Sequence, residues 1–467
     1  MQLPDSPKMP KFMQLVKWIN NPLQLMEAST KAHGDCFTLW LTNKQPMVFL
    51  SHPQAIQEIF TTHLENLDSR ASAQILQPLL GNNSLLLLSG ETHQRQRKLL
   101  TPPFHGDRMK AYGDIIINIT KDVISNWQIG KAFSVRDSMQ EIALRVILQA
   151  VFGLNEGERY TQLQTRLCSM LELISSSFRA SLSFIPALRL DLGGWSPWGN
   201  FLRQREEIDK LLCAEIQERR NHPDSSRNDI LSLMMSARDE NGEPMSDLEL
   251  RDELMTLLVA GHETTASALT WALYWIHHLP SVREQLLAEL DSFHNADFNE
   301  ITRLPYLTAV CQETLRIYPI GMITIPRIVK SPIEIMGHKF EPGTMLLGCI
   351  YLVHHRPDLY PQPEEFRPER FLEKQYSLYE YLPFGGSNRR CLGMAFALFE
   401  MKLVLATILS QVDLKLVENY PVKPIRRGVT LAPSGGKWMI TTGQRQKLEK
   451  FAVEVQVTQQ EYREHKG

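Results

Sequence analysis

The sequence has few cysteines, and none are spaced for a metal cluster or a disulfide framework. It contains six cysteines in 467 residues and no C-x-x-C pair. This spacing argues against a zinc ribbon and against a disulfide-stapled domain. We interpret five of the cysteines as buried core residues in a reducing compartment; they are Cys36, Cys168, Cys213, Cys311 and Cys349.

An excess of charge of one sign and long apolar runs are also missing. The formal net charge is -2 and there is no long basic run, so nucleic acid is not predicted as the main partner. The longest apolar runs, such as residues 85–88, fall far short of the roughly 18 to 20 residues that cross a bilayer. We find no secretory signal and predict a cytoplasmic protein without a transmembrane anchor. An amphipathic stretch at residues 12–19 is interpreted as a strap over the globular body, and contact with a membrane surface stays open.

Segments with β-strand character are few, which favours a mainly α fold with small β-sheets. Residues 36–41 and 46–50 flank a polar turn at residues 42–45 and predict a hairpin. A second hairpin is predicted between residues 429–431 and 437–440, because the intervening residues are rich in proline, serine and glycine.

The longest predicted helix begins at Ser246, with Glu249 as its capping-box partner, and runs to Leu279 before Pro280. At this length it would span roughly 50 Å, enough to cross a whole domain.

This helix contains the hexapeptide Ala260-Gly261-His262-Glu263-Thr264-Thr265. Gly261 costs about 1 kcal/mol relative to alanine in a helix interior, and the Thr264 hydroxyl can compete for a backbone hydrogen bond. We therefore predict a locally weak helix with room for a small ligand. The alternative is a solvent-facing glutamate among ordinary helix threonines. His262 is interpreted as structural.

The sixth cysteine stands in a different context. The sequence around it is Phe384-Gly385-Gly386-Ser387-Asn388-Arg389-Arg390-Cys391-Leu392-Gly393. The apolar run that follows predicts a helix, which would place the Cys391 sulfur at the positive end of that helix and favour the thiolate. Such a thiolate is suited to binding iron.

Residues 384–393 resemble the haem-thiolate loop of the cytochromes P450, whose pattern is Phe-x-x-Gly-x-Arg-x-Cys-x-Gly. The one departure is Ser387, which stands at the inner glycine. Residues 260–265 are similar to the oxygen-binding segment of that family and match it at every specified position. The resemblance implies that Cys391 is the iron ligand of a haem, that Thr264 steadies dioxygen and that Glu263 relays protons.

Two further segments carry the same resemblance. Glu313 and Arg316 have the i,i+3 spacing of the family's Glu/Arg pair, and Arg370 lies in a segment whose arginine joins that pair. The resemblance implies a buried, structural network of these three side chains. The spacing alone is not specific, because three other pairs share it: Glu156/Arg159, Glu300/Arg303 and Glu364/Arg367.

A haem has two propionates that need cationic partners. His93 and Arg97, at i and i+4 on a predicted helix, match the family's propionate-binding pair. Arg389 matches the arginine of the haem loop, and Arg327 matches a less specific position. A surface location of His93 and Arg327 stays open.

All these segments follow the family's order along the chain. The resemblance therefore implies the cytochrome P450 fold, as a single haem-binding domain over residues 1–467 with heme b (iron protoporphyrin IX).

The function implied is that of a haem-thiolate monooxygenase that hydroxylates a lipophilic substrate, such as a fatty acid or terpenoid. Apolar residues expected near the pocket support a lipophilic substrate, although they could equally be core; they are Leu85 to Leu88, Val259, Ala260, Ile320, Met322 and Ile323. The sequence shows no flavin or iron–sulfur segment, so we expect electrons from a ferredoxin and its reductase, docking near Arg95, Lys98 and Arg390. The alternatives are a P450-like isomerase or peroxygenase and a non-enzymatic haem-thiolate sensor.

Overall fold

The computed structural model describes residues 3–445 except 42–44, 63, 105, 107, 155, 176–188, 190, 225, 293–297, 419 and 421. Most of the described chain is helical. The α-helices are α1 (Lys11–Asn20), α2 (Pro22–His33), α3 (Pro53–Thr61), α4 (Arg70–Ala73), α5 (Gln77–Leu80), α6 (Gly90–Leu100), α7 (Arg108–Ser125), α8 (Val135–Phe152), α9 (Glu158–Ser175), α10 (Pro197–Asn221), α11 (Ile230–Ser236), α12 (Asp247–His278), α13 (Pro280–Ser292), α14 (Phe298–Ile301), α15 (Pro305–Ile317), α16 (Ile350–His354), α17 (Arg370–Glu373) and α18 (Met394–Gln411).

The β-strands are short. They are β1 (Cys36–Leu39), β2 (Met47–Leu50), β3 (Leu67–Asp68), β4 (Ala132–Phe133), β5 (Arg327–Val329), β6 (Ile333–Ile335), β7 (His338–Phe340), β8 (Met345–Gly348), β9 (Val412–Leu416), β10 (Pro424–Arg427), β11 (Thr430–Pro433) and β12 (Met439–Gln444). Within the described ranges, the largest sheet has the order β1-β2-β8-β5-β3, and smaller sheets are formed by β4-β12-β9, β10-β11 and β6-β7. The predicted class, mainly α with small β-sheets, is confirmed.

Helix α12 is the centre of the helical core. It begins as the sequence predicts, because Ser246 and Glu249 form a reciprocal capping box and satisfy backbone N–H groups at the helix start. The helix packs against α8, α10, α15 and α18, and most of its residues from Thr265 onward are buried. This arrangement brings the helix that follows Cys391 against the helix that carries Thr264.

One of the two predicted hairpins is confirmed. Strands β1 and β2 pair antiparallel, from Cys36 opposite Leu50 to Leu39 opposite Met47; most of their predicted turn lies outside the described residues.

The second predicted hairpin is wrong, because its two strands pair with other partners. Strand β11 pairs with β10 through the two-residue turn Gly428-Val429, whose glycine has a φ of 57°. Strand β12 pairs instead with β9 and β4. A left-handed glycine between two strands is a strong hairpin signal, and here it prevails over the proline- and glycine-rich segment on the other side of β11.

Two further findings concern individual segments. The polar stretch at residues 221–241 contains helix α11, whose Ile230, Leu231 and Met234 are buried. Among the described helices, α18 is long and apolar enough to cross a membrane by length and composition, but half of it is buried inside the protein. Core helices of soluble proteins have the same character, so this is weak evidence for a membrane span.

Candidate active site

The loop before α18 holds Cys391 through its own backbone. The Cys391 N–H donates to the Phe384 carbonyl over 2.9 Å, which closes the loop. Gly385 adopts a φ of 65°, a conformation that favours glycine. Gly386 is required for another reason, because a Cβ atom there would lie 2.3 Å from the ring of Phe60. The glycines thus allow the loop to turn tightly against α3.

Ser387 occupies the left-handed conformation in which the family pattern has glycine. Its φ is 59°, which costs a non-glycine residue about 1 kcal/mol or more. The Ser387 hydroxyl donates to the Phe60 carbonyl over 2.8 Å. This hydrogen bond to α3 offsets part of the conformational cost and explains how the loop accommodates the departure from the pattern.

Burial and neighbouring charges act on the Cys391 thiol in opposite directions. The side chain has solvent-accessible surface, yet desolvation by the surrounding protein raises the pKa of its thiol. A hydrogen bond from the Gly393 backbone and the charges of Arg97 and Arg390 lower that pKa by less. The Gly393 backbone at the start of α18 therefore favours the thiolate, as predicted, but desolvation outweighs its effect. A bound metal ion, which deprotonates its thiol ligand, would be needed.

Cationic side chains lie close to Cys391 and to one another. The pKa of Arg389 and of Arg327 is lowered to about 10 each, mainly by burial and to a smaller extent by a neighbouring arginine. Burial also lowers the pKa of His93 to about 4, with smaller effects of Arg389 and Arg97. Mutual effects of this kind require the four groups to lie within electrostatic range of one another. The structure thus brings together His93, Arg97, Arg327 and Arg389, and it buries His93 and Arg327.

The contacts of these arginines leave donors available. Arg389 donates to the carbonyls of Leu85, over 2.9 Å, and Leu88, while its buried Nε atom has no hydrogen-bond partner. Arg327 makes a long contact of 3.4 Å with the Asn388 side chain. None of the ion pairs found among the described residues includes Arg97, Arg327 or Arg389.

The donor set fits a haem. A buried cluster of positive charge is costly unless anions approach it, and two propionates would provide that charge. One carboxylate, Asp68, acts on Arg389 by raising its pKa. With the Cys391 sulfur available for iron and small residues in the loop, the residues present match both the metal and the acidic edge of the cofactor.

The oxygen-site segment of α12 faces accessible space in the middle of a buried helix. Ala260 is exposed and Thr264 is half-buried, whereas Leu258, His262 and Thr265 are buried. The Thr264 hydroxyl donates to the Ala260 carbonyl over 2.5 Å, as the sequence analysis anticipates. A hydroxyl held in this way lies at the surface of the helix, where a small ligand can reach it.

Gly261 has a packing role that the sequence does not reveal. A Cβ atom there would lie 2.9 Å from the Ile147 side chain of α8, so glycine lets α8 and α12 approach closely. The α-helix continues unbroken from Asp247 to His278, although a locally weak helix is expected. His262 is buried, and burial lowers its pKa, which agrees with the predicted structural role.

Glu263 is held by two side chains of α8. Its carboxylate accepts hydrogen bonds of 2.6 and 2.8 Å from Arg136 and of 3.0 Å from Gln140. Arg136 is itself buried and lies 3.4 Å from the Ser267 hydroxyl. The sequence analysis missed Arg136 and Gln140. Their i,i+4 spacing on a predicted helix is the only signal that could have suggested them.

The predicted charge network behind the loop is present and fully buried. Glu313 accepts from Arg316 over 2.7 and 2.8 Å, and from Arg370 over 3.0 Å. The backbone N–H of Arg367 also donates to Glu313, over 2.8 Å. The Arg367 guanidinium pairs with Glu373, not with Glu364, which shares the predicted spacing.

His354 connects this network to the thiolate loop. Its Nε2 atom accepts from the Leu382 N–H over 3.0 Å, so the neutral ring carries its proton on Nδ1 and donates to the Arg316 carbonyl over 3.2 Å. Burial lowers the pKa of His354 well below its ordinary value, which keeps the ring neutral. The network therefore fixes the chain just before Phe384.

A second buried support was also missed. The Glu253 carboxylate of α12 accepts from the Leu85 N–H over 2.7 Å and from the Gln96 side chain over 3.2 Å. Burial raises its pKa to about 8, which keeps the carboxyl protonated at neutral pH. The Leu85 carbonyl in turn accepts a hydrogen bond from Arg389. Glu253 therefore supports the segment at residues 85–88, which holds Arg389 in place.

The structure corrects the predicted docking surface. Arg95 is committed to ion pairs of 2.6 Å with Asp239 and 2.8 Å with Glu249, and Lys98 pairs with Glu240 over 2.6 Å. These partners lie far away in sequence and could not be anticipated locally.

The third predicted docking residue, Arg390, lies in the thiolate loop itself, and its Nη2 atom is 3.1 Å from the Met394 sulfur. The predicted pocket residues also divide into two groups. Those with accessible surface are Leu86, Leu88, Val259, Ala260 and Ile323, and those buried as core are Leu85, Leu87, Ile320 and Met322.

Comparison with known proteins gives a consistent result. The family model described as Cytochrome P450 matches residues 4–440. The chain is 36% identical over 437 residues to "Putative cytochrome P450 135B1" of Mycobacterium tuberculosis, covering 93% of this chain and 90% of that protein. Among solved structures, retinoic acid-bound cyanobacterial CYP120A1 superposes with a TM-score of 0.78 at 26% identity, covering 93% of this chain and all of that one. The cytochrome P450DA heme domain superposes with a TM-score of 0.82 at 23% identity, covering 97% and 100%.

Proposed function

The chain belongs to the cytochrome P450 family of haem-thiolate monooxygenases, and from that membership we propose that it hydroxylates a lipophilic molecule such as a fatty acid or terpenoid. The observation that carries the proposal is the position of the Cys391 thiol within electrostatic range of a cationic cluster, just before helix α18, which packs against the helix that carries Thr264. We propose that residues 1–467 act as a single haem-binding domain. In support, one continuous hydrophobic cluster extends from Ala73 to Met439.

We propose heme b as the cofactor, held by Cys391 as the metal ligand. His93, Arg97, Arg327 and Arg389 would bind its propionates; neutral His93 does so by hydrogen bonding and the arginines by charge-assisted bonds. Bound haem supplies the oxygen-activating chemistry, and a thiolate ligand favours cleavage of the O–O bond.

The chain's own residues handle protons. The Thr264 hydroxyl donates to Ala260 in the resting arrangement and can turn its hydrogen toward a ligand in the accessible space. Glu263 is the proposed relay, but Arg136 and Gln140 hold its carboxylate toward α8. Proton delivery to Thr264 therefore requires the Glu263 side chain to leave Arg136 or to act through water.

A lipophilic substrate suits the apolar side chains that reach accessible space. Leu86 and Leu88 come from the segment that holds Arg389, and Val259 and Ala260 come from α12. The cyanobacterial relative at 26% identity was solved with retinoic acid, a lipophilic carboxylic acid. That precedent supports testing fatty acids and terpenoid acids first.

Electrons are proposed to come from a ferredoxin and its reductase in the cytoplasm. Arg95 and Lys98 pair with acidic side chains, so we propose Arg390 of the thiolate loop as the first of the three predicted residues to test for docking. Ionic strength should then weaken electron transfer, because steering by surface charge is screened by salt.

The proposal is tested with purified holoprotein. Reduction under carbon monoxide should give the red-shifted Soret band of thiolate ligation, and Cys391→Ala should abolish it while Cys311→Ala, at a buried cysteine remote in sequence, should not. Lipophilic acids and terpenes are then screened for a low-spin to high-spin change.

Turnover of a positive compound should require ferredoxin, its reductase and oxygen. Product formed without electrons would instead identify an isomerase, and product formed only with peroxide would identify a peroxygenase. Gas binding without any turnover across the screen would favour the haem-thiolate sensor.

A further inference from the structure

Helix α1 turns its apolar side chains outward. Phe12 is 67% exposed, Val16 51%, Met13 41% and Leu15 36%. The other large exposed apolar residues of the described chain are spread over distant segments. Four such residues within five positions form a concentrated patch, and patches of this kind mark interaction surfaces. We call the residues Phe12, Met13, Leu15 and Val16 the α1 patch.

The orientation of α1 is fixed by what it buries. Gln14 is buried, accepts from the Trp40 N–H over 2.8 Å and donates to the Met9 carbonyl over 3.2 Å. Trp18 is buried with its ring against Phe49, at a centroid distance of 5.5 Å. Rotating the helix to hide the α1 patch would break both anchors and expose the Trp18 ring. The outward apolar face is therefore a stable feature of the fold.

The patch has cationic borders. At 100° per residue, Leu15, Phe12, Val16 and Met13 span about 160° of the helix circumference. Lys17 follows on one side of this arc and Lys11 on the other, and both are exposed. Residues 1–20 contain three lysines and one aspartate, in a chain whose net charge is -2. Local positive charge thus accompanies the exposed apolar surface.

We propose that α1 docks the protein on an anionic lipid surface. An apolar arc between lysines is the arrangement of helices that lie in the membrane interface, where apolar side chains enter the acyl boundary and cations face the headgroups. With ten residues α1 is about 15 Å long, too short to cross the roughly 30 Å hydrocarbon core, so it can only lie on the surface. A protein partner would not explain lysines on both borders as directly.

The test is vesicle flotation of the full-length holoprotein, with vesicles of phosphatidylcholine alone or mixed with phosphatidylglycerol. The wild-type protein should float with the mixed vesicles, and 0.5 M salt should reduce its binding. The double variant Phe12→Ser/Val16→Ser should bind about tenfold or more weakly, because two apolar side chains leave the interface. Lys11→Glu/Lys17→Glu should abolish the preference for phosphatidylglycerol. In each variant an unchanged carbon monoxide spectrum verifies that the haem domain is intact.

The matched control is Leu372→Ser/Leu378→Ser, which removes two apolar side chains of similar exposure, 50% and 59%, at another place. It should float like the wild type. Equal flotation of the control and the α1 variant, or equal binding to both vesicle types, would overturn the proposal. A concentration-dependent dimer that the α1 variant abolishes, without vesicle binding by the wild type, would also overturn it and assign the patch to a second copy. None of these readouts depends on monooxygenase activity.

Discussion

The left-handed conformation of Ser387 can be tested with two substitutions, each of which serves as the control for the other. Ser387→Ala keeps the conformational cost at φ 59° but removes the hydrogen bond to the Phe60 carbonyl. A lost hydrogen bond with an unsatisfied partner costs about 1 to 2 kcal/mol. Ser387→Gly loses the same hydrogen bond but removes about 1 kcal/mol of conformational cost in the folded state. The greater chain entropy of glycine in the unfolded state cancels about 0.7 kcal/mol of that gain. We therefore expect the glycine variant to be destabilised by less than the alanine variant.

The assay is native-state hydrogen exchange of the peptide that contains residues 384–393 in the holoprotein. The Cys391 N–H, which donates to Phe384, reports opening of the loop. The alanine variant should exchange about fivefold to thirtyfold faster than the wild type, since each kcal/mol changes an opening equilibrium by about fivefold. The glycine variant should lie between the two. Faster exchange in the glycine variant than in the alanine variant would refute the role assigned to the conformational cost.

Three other predictions follow from buried charges. Glu313→Gln should weaken the pairing of two buried guanidinium groups and cost about 3 to 5 kcal/mol. The measurement is the loss of the red-shifted carbon monoxide Soret band per mole of protein. Glu364→Gln should retain the band, because Glu364 has the same spacing from an arginine but does not pair with it. Arg136→Leu should release Glu263 and lower the amount of product formed per electron consumed. Arg145→Leu, on the same helix, is the control. An unchanged ratio of product to electrons in Arg136→Leu would exclude a positioning role for Arg136. Because burial raises the Glu253 pKa from 4.5 to about 8, the folded state binds the extra proton and this group's contribution to stability falls as pH rises between those values. The thermal midpoint of Glu253→Gln should therefore rise relative to that of the wild type as the pH increases from 5.5 to 8.5. A constant difference between the two midpoints would contradict the assignment of this proton to Glu253.

Several local signals in the sequence were sufficient for the fold class and for the helices on which the proposed site depends. The capping box at Ser246, the unbroken helical pattern after it and the residues around Cys391 all depend on neighbours within a few positions. Such features are encoded locally, and the structure has them where the sequence predicts them. The Glu313 network also follows the predicted composition, although only the resemblance could select it among four pairs of equal spacing.

The errors concern contacts between distant segments. The turn residues around Pro433 indicate a chain reversal but do not specify which strand pairs with β11. Gly428 provides a tighter turn on the other side of β11, and β11 pairs with β10 across that turn. Likewise, the basic character of Arg95 is visible in the sequence, whereas its neutralisation by Asp239 and Glu249 depends on how α6 packs near the start of α12. Arg136 was missed for the same reason.

The segment at residues 85–88 has a consequence for how the enzyme would be regulated by its own substrate. It is bonded to Glu253 on one side and to Arg389 on the other, and Leu86 and Leu88 also have accessible surface. A molecule that pushes these leucines aside would disturb the hydrogen bonds that position Arg389 in the cationic cluster. Binding of substrate and binding of the propionates would then be thermodynamically linked.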